Sequence, residues 1–270
     1  VGQCRNDASR HALHPGEEGP GPIVWDRAKC VHVWGTDGKR CLDLTAAFAV
    51  AATGHANPRV IKAAQQQLAK LPHAMGDVHP HQLKGQLARE LSKFTFQRWK
   101  RGRGKTIFCN SGFEAVEAAL KTALLATGKK GVIAFEGAYH GLGYGALATT
   151  HRELFRNPFK KQLGKFGHFA LYPTTAYELA ETEKQIKALF KKHPTGAILA
   201  EPIQGRAGIR VPPSEFIGLL RRLCDHHGAL LILDELYTGL RRTGKWFAFE
   251  QVQTFPALIC LGQALPPRSP

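Results

Sequence analysis

Residues 229–239 read ALLILDELYTG, and this run decides the fold class. The five apolar residues from Ala229 to Leu233 lack the alternation of a half-wet strand and the length of a helix. They fit a short strand covered on both faces, as in a parallel sheet. The run stops at two acids, Asp234 and Glu235. Burying a carboxylate is costly without compensation, so Asp234 needs a cation or hydrogen-bond donors opposite it. Immediately upstream, residues 213–227 read as a helix that Gly228 stops.

The same unit recurs outward from there. Residues 106–109 (TIFC), 131–135 (GVIAF), 196–200 (GAILA) and 257–261 (ALICL) read as further short apolar strands. Helices are predicted over 113–127, with Val116, Leu120, Ala123 and Leu124 inward and Gly128 at the end, and over 175–192 as an exposed amphipathic segment. Short strands alternating with helices predict an α/β domain with a largely parallel sheet flanked by helices. In such sheets ligands sit beyond the carboxyl ends of the strands. Nearer the N terminus, residues 23–44 read as short strands, with a hairpin turn at Thr36-Asp37-Gly38-Lys39. Asn57 is placed to cap a helix that has Pro58 in its first turn and Val60, Ala64, Leu68 and Leu71 along one face.

Composition narrows the class. The chain has 270 residues, 43% hydrophobic and 21% charged, with 28 Gly and 16 Pro, which excludes a disordered, collagenous or coiled-coil protein. The longest apolar stretches, 44–52 and 229–233, have the length of buried elements and fall far short of the roughly 20 residues that span a bilayer. The first twenty residues lack an apolar signal core, so a cytoplasmic protein is expected; the missing initiator Met implies a chain that begins inside a gene. The 6 cysteines are scattered, with neither zinc-ligand spacing nor disulfide density, and are expected to be reduced and mostly buried. Lys plus Arg number 37 against 21 acids, a formal charge of +16, densest at residues 98–105 (RWKRGRGK). Such an excess reads as a solvated surface, a nucleic-acid contact or a field that draws in anionic small molecules. No aromatic interleaving supports the nucleic-acid reading.

The residues just after each strand carry the chemistry. Asn110-Ser111-Gly112-Phe113-Glu114 places a hydroxyl and a glycine where a helix begins, which makes either an anion seat or a capping box. Residues 136–141 (EGAYHG) set Tyr139 beside His140, for stacking on a flat ring or for ordinary loop packing. Glu201 follows the strand at 196–200, as Asp234 follows its own. Two letter matches fail on context. Gly104-Lys105-Thr106 has Trp99 where a phosphate-binding loop needs its first glycine, and no strand runs into Gly141-Leu142-Gly143. An anion seat, a stacking aromatic and a buried acid on successive strand ends fit a flat, phosphorylated, protonatable ring, and pyridoxal 5'-phosphate is the obvious candidate.

The blocks NSGFEAVEAALK, FEGAYHG, EPIQGRAGI, LCDHHGALLILDELYTGLRRTGKWFAFE and ICLGQAL resemble, in order, those of the class-III aminotransferases of the ornithine/4-aminobutyrate type. The likeness runs from about residue 22 to 265. It implies a fold-type-I pyridoxal-phosphate enzyme, with residues 51–270 forming an incomplete cofactor-binding large domain and residues 1–50 contributing to the small domain. By that resemblance Ser111, Gly112 and the amide of Phe113 cradle the cofactor phosphate, and Tyr139 stacks on the ring. Asp234 holds the ring nitrogen protonated, Leu236 lies on the other ring face and Glu201 lies near the substrate pocket. Tyr237 stands where many members have a Gln. The resemblance also implies a primary amine or ω-amino acid donor, a 2-oxo acid acceptor and a homodimer, with no metal, nucleic acid or membrane partner.

The pattern breaks near the end. Where the family has its catalytic lysine, the chain has Gln263, whose amide nitrogen is not a nucleophile and cannot shuttle protons. Leu265-Pro266-Pro267-Arg268-Ser269-Pro270 then replaces a Gly-rich turn. The part that the resemblance places beyond residue 270 would supply an Arg for the substrate carboxylate. A fragment or frameshifted gene end is therefore expected, with the cofactor held noncovalently and little or no activity; the alternative is a noncatalytic cofactor- or partner-binding remnant.

Overall fold

The structure, a computed structural model, describes residues 23–76, 78–252 and 254–262. Strands β1 (Trp25–Lys29), β2 (His32–Gly35) and β3 (Arg40–Leu42) form an antiparallel meander. The predicted turn joins β2 to β3, with Gly38 at φ +78° and the Asp37 carboxylate accepting the Lys39 amide at 3.1 Å. A short turn, α1 (Ala46–Ala49), follows, in which four successive non-glycine residues have φ of 48°, 48°, 57° and 68°. The expectation that residues 44–52 form a buried element is therefore wrong: Leu44 is 86% exposed, and Phe48 and Val50 are exposed too. Of the turn itself only Ala49 is buried.

Helix α2 (Pro58–Lys70) begins as read, with the Asn57 side chain accepting from the Arg59 and Val60 amides. None of its residues is buried, so its apolar face has no cover among the described residues. Helix α3 (Gln82–Phe94) leads into the basic loop. There Trp99 turns inward against Phe247, Phe249 and Phe255, while its indole N–H donates to Glu250 at 2.9 Å and Arg98 pairs with the same carboxylate.

The second sheet is built of α4 (Gly112–Thr127), β4 (Gly131–Phe135), α5 (Tyr144–Thr149), α6 (Glu153–Arg156), β5 (Gly167–Ala170), α7 (Ala176–Lys192), β6 (Thr195–Ala200), α8 (Phe216–His227), β7 (Leu230–Asp234) and β8 (Leu258–Cys260). Its strands run in the order β5-β4-β6-β7-β8, every pair parallel. Side chains alternate across it. Ile133, Phe135, Ile198, Leu231 and Leu233 pack on α7 and α8, and Val132, Ala197, Leu199 and Ile232 pack on α4 and α5. Coverage on both faces is what makes each strand a continuous apolar run.

Three local expectations need correction. Residues 106–109 form no strand; Ile107 is 66% exposed, and β8 is the last strand on that side of the sheet among the described residues. An apolar tetrapeptide without a ladder partner has nothing to pay for its extended backbone. Leu124 is exposed, because it lies at the margin of the α4 stripe that Val116, Leu120 and Ala123 bury. The thiols are not mostly buried: Cys30 and Cys109 are exposed and Cys41 is half-buried, while Cys224 and Cys260 are buried. Cys4 and Gln263 lie outside the described residues. Among those described, no helix is long and apolar enough to cross a membrane.

Candidate active site

Loops leaving the carboxyl ends of β4, β6 and β7 meet at Asp234. Its carboxylate is 5% exposed and holds the His140 ring, Nδ1 to Oδ2, at 2.8 Å. The Leu236 amide donates to the other oxygen at 3.2 Å. The partner that Asp234 requires is thus His140, which the sequence offered only as a neighbour of Tyr139. The other imidazole nitrogen, Nε2, is buried with no partner among the described residues. The pair is set by topology: β4 and β7 both pair with β6, so the residues that follow them converge.

Glu201 lies beside this pair. It is 6% exposed, accepts the Tyr139 amide at 3.0 Å and accepts the Gly205 amide at 3.1 Å. Both oxygens are therefore occupied in tying the Tyr139 loop to the Gly205 loop, which makes Glu201 a brace between them. Burial and the Asp234 charge push its carboxyl up to about 7, against the pull of His140 and the two amides.

The start of α4 closes the cluster. Ser111 caps the helix by accepting the Glu114 amide at 3.4 Å, and Glu114 reaches back to the Asn110 amide at 2.8 Å. The capping reading of Ser111 is correct, with the return contact one residue earlier than in a regular capping box. The amides of Gly112 and Phe113 stand in the first helical turn, where no intrahelical acceptor exists. Gly112 sits against Leu236: a Cβ there would lie 3.0 Å from Leu236 Cδ1. Gly141 (φ +117°) sits against Phe113, where a Cβ would lie 2.3 Å from the Phe113 Cβ. The Gly141–Gly143 pair that mimics a dinucleotide fingerprint is thus explained by the close approach of Phe113.

Tyr139 and Tyr237 line the outer side. Tyr139 packs edge to face on Phe155 at 5.5 Å, and Arg206 lies 4.4 Å over its ring. Tyr237 is half-buried against Gly205. Ser111, Gly112 and Phe113 at the start of α4 therefore form one group with Tyr139, Glu201, Asp234, Leu236 and Tyr237 at the ends of β4, β6 and β7. A cleft of about 420 Å³ at Cys30, Asp43 and His55 lies outside it, and one of about 660 Å³ runs along residues 107–110 and the outer face of α4 and reaches the group only at Phe113. No grouping of three or more metal-ligating side chains occurs among the described residues.

A second buried acid gives the site a pH signature. Glu235 is fully buried, accepts from the Thr238 hydroxyl and the Phe249 amide, and is raised to about 7 mainly by burial. In the unfolded chain both glutamates lose their protons near the ordinary value of 4.5, while the fold retains them to about 7. Their contribution to stability is complete below 4.5, falls as pH rises to about 7 and then levels off. Each is worth on the order of 1–3 kcal/mol across that window. Urea unfolding between pH 4.5 and 7.5 is expected to show the decline, reduced in Glu235→Gln; a flat or rising profile identical in the variant contradicts it.

The family model of the class-III aminotransferases matches residues 14–266, and the chain belongs to that family. It is 37% identical to an acetylornithine aminotransferase of Methanopyrus kandleri and 36% identical to one of Methanosarcina acetivorans, each over 244 residues, 90% of this chain. It spans 59% and 58% of their lengths. Among solved structures, it matches an amine transaminase of an uncultivated Pseudomonas species with PLP bound, with TM-score 0.82 and 26% identity over 93% of this chain and 61% of the other. A taurine:2-oxoglutarate aminotransferase of Bifidobacterium kashiwanohense, solved with PLP and glutamate, shares the fold with TM-score 0.83 at 23% identity, over 93% of this chain and 59% of the other. The fold is that of the PLP-dependent transaminases.

Proposed function

We propose that this chain binds pyridoxal 5'-phosphate, without a covalent link, at the cluster around Asp234. In its intact relatives we assign the site to transfer of an amino group from a primary amine or ω-amino acid to a 2-oxo acid. The observation that carries the reading is the contact of Gly112 with Leu236, which brings the anion-accepting start of α4 to the strand end that bears a buried carboxylate. The donor set fits the cofactor. Free amides and the helix dipole suit a phosphate, Leu236 and Tyr139 offer flat or aliphatic faces, and a buried acid suits a protonated ring nitrogen. When bound, the cofactor supplies an electron-accepting ring that stabilises the carbanion left by proton loss from the substrate.

The residues of the chain then divide the work. Asp234 holds the proton at the ring nitrogen, and His140 and the Leu236 amide fix the carboxylate in place. Ser111, Gly112 and Phe113 hold the phosphate. Tyr139 stacks, Tyr237 takes the place near the ring oxygen, and Glu201 keeps the Tyr139 and Gly205 loops in register beside the substrate. Gln263 neither holds the cofactor covalently nor moves a proton, so this copy is weakly active or inactive. Residues 1–50 are assigned to a small domain, residues 51–270 to the cofactor-binding large domain, and a homodimer is the proposed assembly.

The test is an equilibrium titration of the whole chain, followed by cofactor absorbance. Saturable binding of pyridoxal 5'-phosphate is expected, at least about tenfold tighter than pyridoxal without its phosphate. Borohydride is expected to leave no pyridoxyl group on the chain. Absence of saturable binding, or equal affinity for the two compounds, overturns the proposal.

A further inference from the structure

We infer that Arg206 is an anchor for a substrate carboxylate, a role that rests on the transaminase reading above but on different atoms. Arg206 stands at the tip of a loop whose base is pinned. The Gln204 and Arg210 backbones exchange two hydrogen bonds of 3.0 Å. The buried Gln204 side chain donates to the Glu136 carbonyl at 2.9 Å, and Arg210 donates to the Tyr172 carbonyl at 2.9 Å. The Arg206 carbonyl itself accepts from Arg152 at 2.6 Å. The tip is thus held at a defined place above Tyr139.

Among the described residues the side chain meets only aromatic rings. Its guanidinium lies 4.4 Å over Tyr139, 5.6 Å over Phe155 and 6.0 Å over Phe48. No carboxylate pairs with it among the described residues, and its N–H edge has no acceptor there. The neighbouring arginines differ, since Arg152 and Arg210 both spend donors on backbone carbonyls. A guanidinium held by aromatic rings, which accept no N–H bond along its edge, keeps its fork of donors free, and that fork matches a carboxylate in two parallel hydrogen bonds.

Position makes the ligand the substrate instead of the cofactor tail. Burial raises the pKa of the Tyr237 hydroxyl, the nearby Arg206 charge pulls it down, and Tyr139 and Glu201 push it up. The guanidinium therefore stands at the Tyr139–Tyr237 side of the cluster, whereas the proposed phosphate seat is at Ser111, Gly112 and Phe113, where Gly112 packs on Leu236 and Phe113 on Gly141. The acids behind it, Glu201 and Asp234, are buried, so an anion entering the site meets Arg206 before it meets negative charge. The chain thus carries its own cation for an acidic substrate within residues 1–270.

The test uses the whole chain and two probes measured by calorimetry: succinate, an unreactive dicarboxylate, and pyridoxal 5'-phosphate. Arg206→Gln is expected to weaken succinate binding at least about tenfold, the loss that goes with a charge-assisted pair, and to leave cofactor affinity within about twofold. Arg206→Lys, which keeps the charge but not the fork, is expected to fall between. Because Arg206 is exposed, unchanged thermal unfolding checks that the variants fold. Unchanged succinate affinity in Arg206→Gln with normal cofactor binding overturns the anchor alone. An equal loss for both probes assigns Arg206 to the phosphate and overturns it too. Succinate binding through Arg206 in a chain that binds no cofactor overturns the transaminase reading and leaves the anchor standing; binding of neither probe overturns both.

Discussion

Gln263→Lys is expected to yield a chain that borohydride labels with a single pyridoxyl group at residue 263, whereas the unchanged chain takes none. Strand β8 ends at Cys260, and Gly262 packs so closely on Leu236 that a Cβ would lie 2.6 Å from Leu236 Cδ2. The peptide that precedes residue 263 therefore lies against the side chain that also meets Gly112. A primary amine at this position adds both a nucleophile for the cofactor carbonyl and a base for the substrate proton. Each of those contributions is worth roughly 10²-fold or more, so the amino-transfer half-reaction is expected to rise by at least about 10²-fold. Peptide mapping after reduction decides the matter. Equal labelling of both chains at some other lysine, Lys245 included, would show that the cofactor meets the protein elsewhere.

The second large effect concerns stability. Asp234→Ala removes the acid that holds His140, whose side chain is wholly enclosed and whose Nε2 already lacks a partner among the described residues. Breaking a buried pair by deleting one member costs about 3–5 kcal/mol. Part of this returns through Glu201, which loses a repelling neighbour and ionises more easily. A net loss of about 3 kcal/mol in urea unfolding is expected, together with loss of cofactor affinity of about 10²-fold or more. Asp234→Asn keeps the shape and one acceptor, so it should fold better than the alanine variant and still bind the cofactor poorly. An alanine variant as stable as the parent, within about 0.5 kcal/mol, would contradict the pairing.

Legibility from sequence varied with how local the cause is. The bounds of β4, the Asp37-Gly38 turn, the Asn57 cap and the Gly128 and Gly228 stops were readable, because each depends on residues within a few positions. Residues 106–109 were misread since a strand exists only with a ladder partner, and composition does not disclose one. The 44–52 stretch misled because hydrophobicity reports burial only when the backbone can stack its side chains on one face. At the site, Asp234 announced its need for a partner through its position after an apolar run. That the partner is His140, and that Arg206 lies on Tyr139, depends on which strands are neighbours in the sheet.

The α1 turn has a consequence of handedness. Each L-residue forced into the mirror-image basin costs roughly 1–2 kcal/mol, so four in a row hold a considerable load. Backbone bonds from the Ala49, Val50 and Ala51 amides to the Thr45, Ala47 and Ala46 carbonyls close the turn, the Asp43 carboxylate accepts the Ala47 amide at 2.9 Å, and Arg242 reaches the Ala49 carbonyl at 3.0 Å. Asp43 also holds Thr45 and His55, contacts that keep its carboxyl well below the usual carboxylate range. One deprotonated oxygen pair thus acts as the catch on a wound spring. At strong acidity, where that catch is neutralised, the chain from Thr45 to Val50 should be the first to rewind to the ordinary hand.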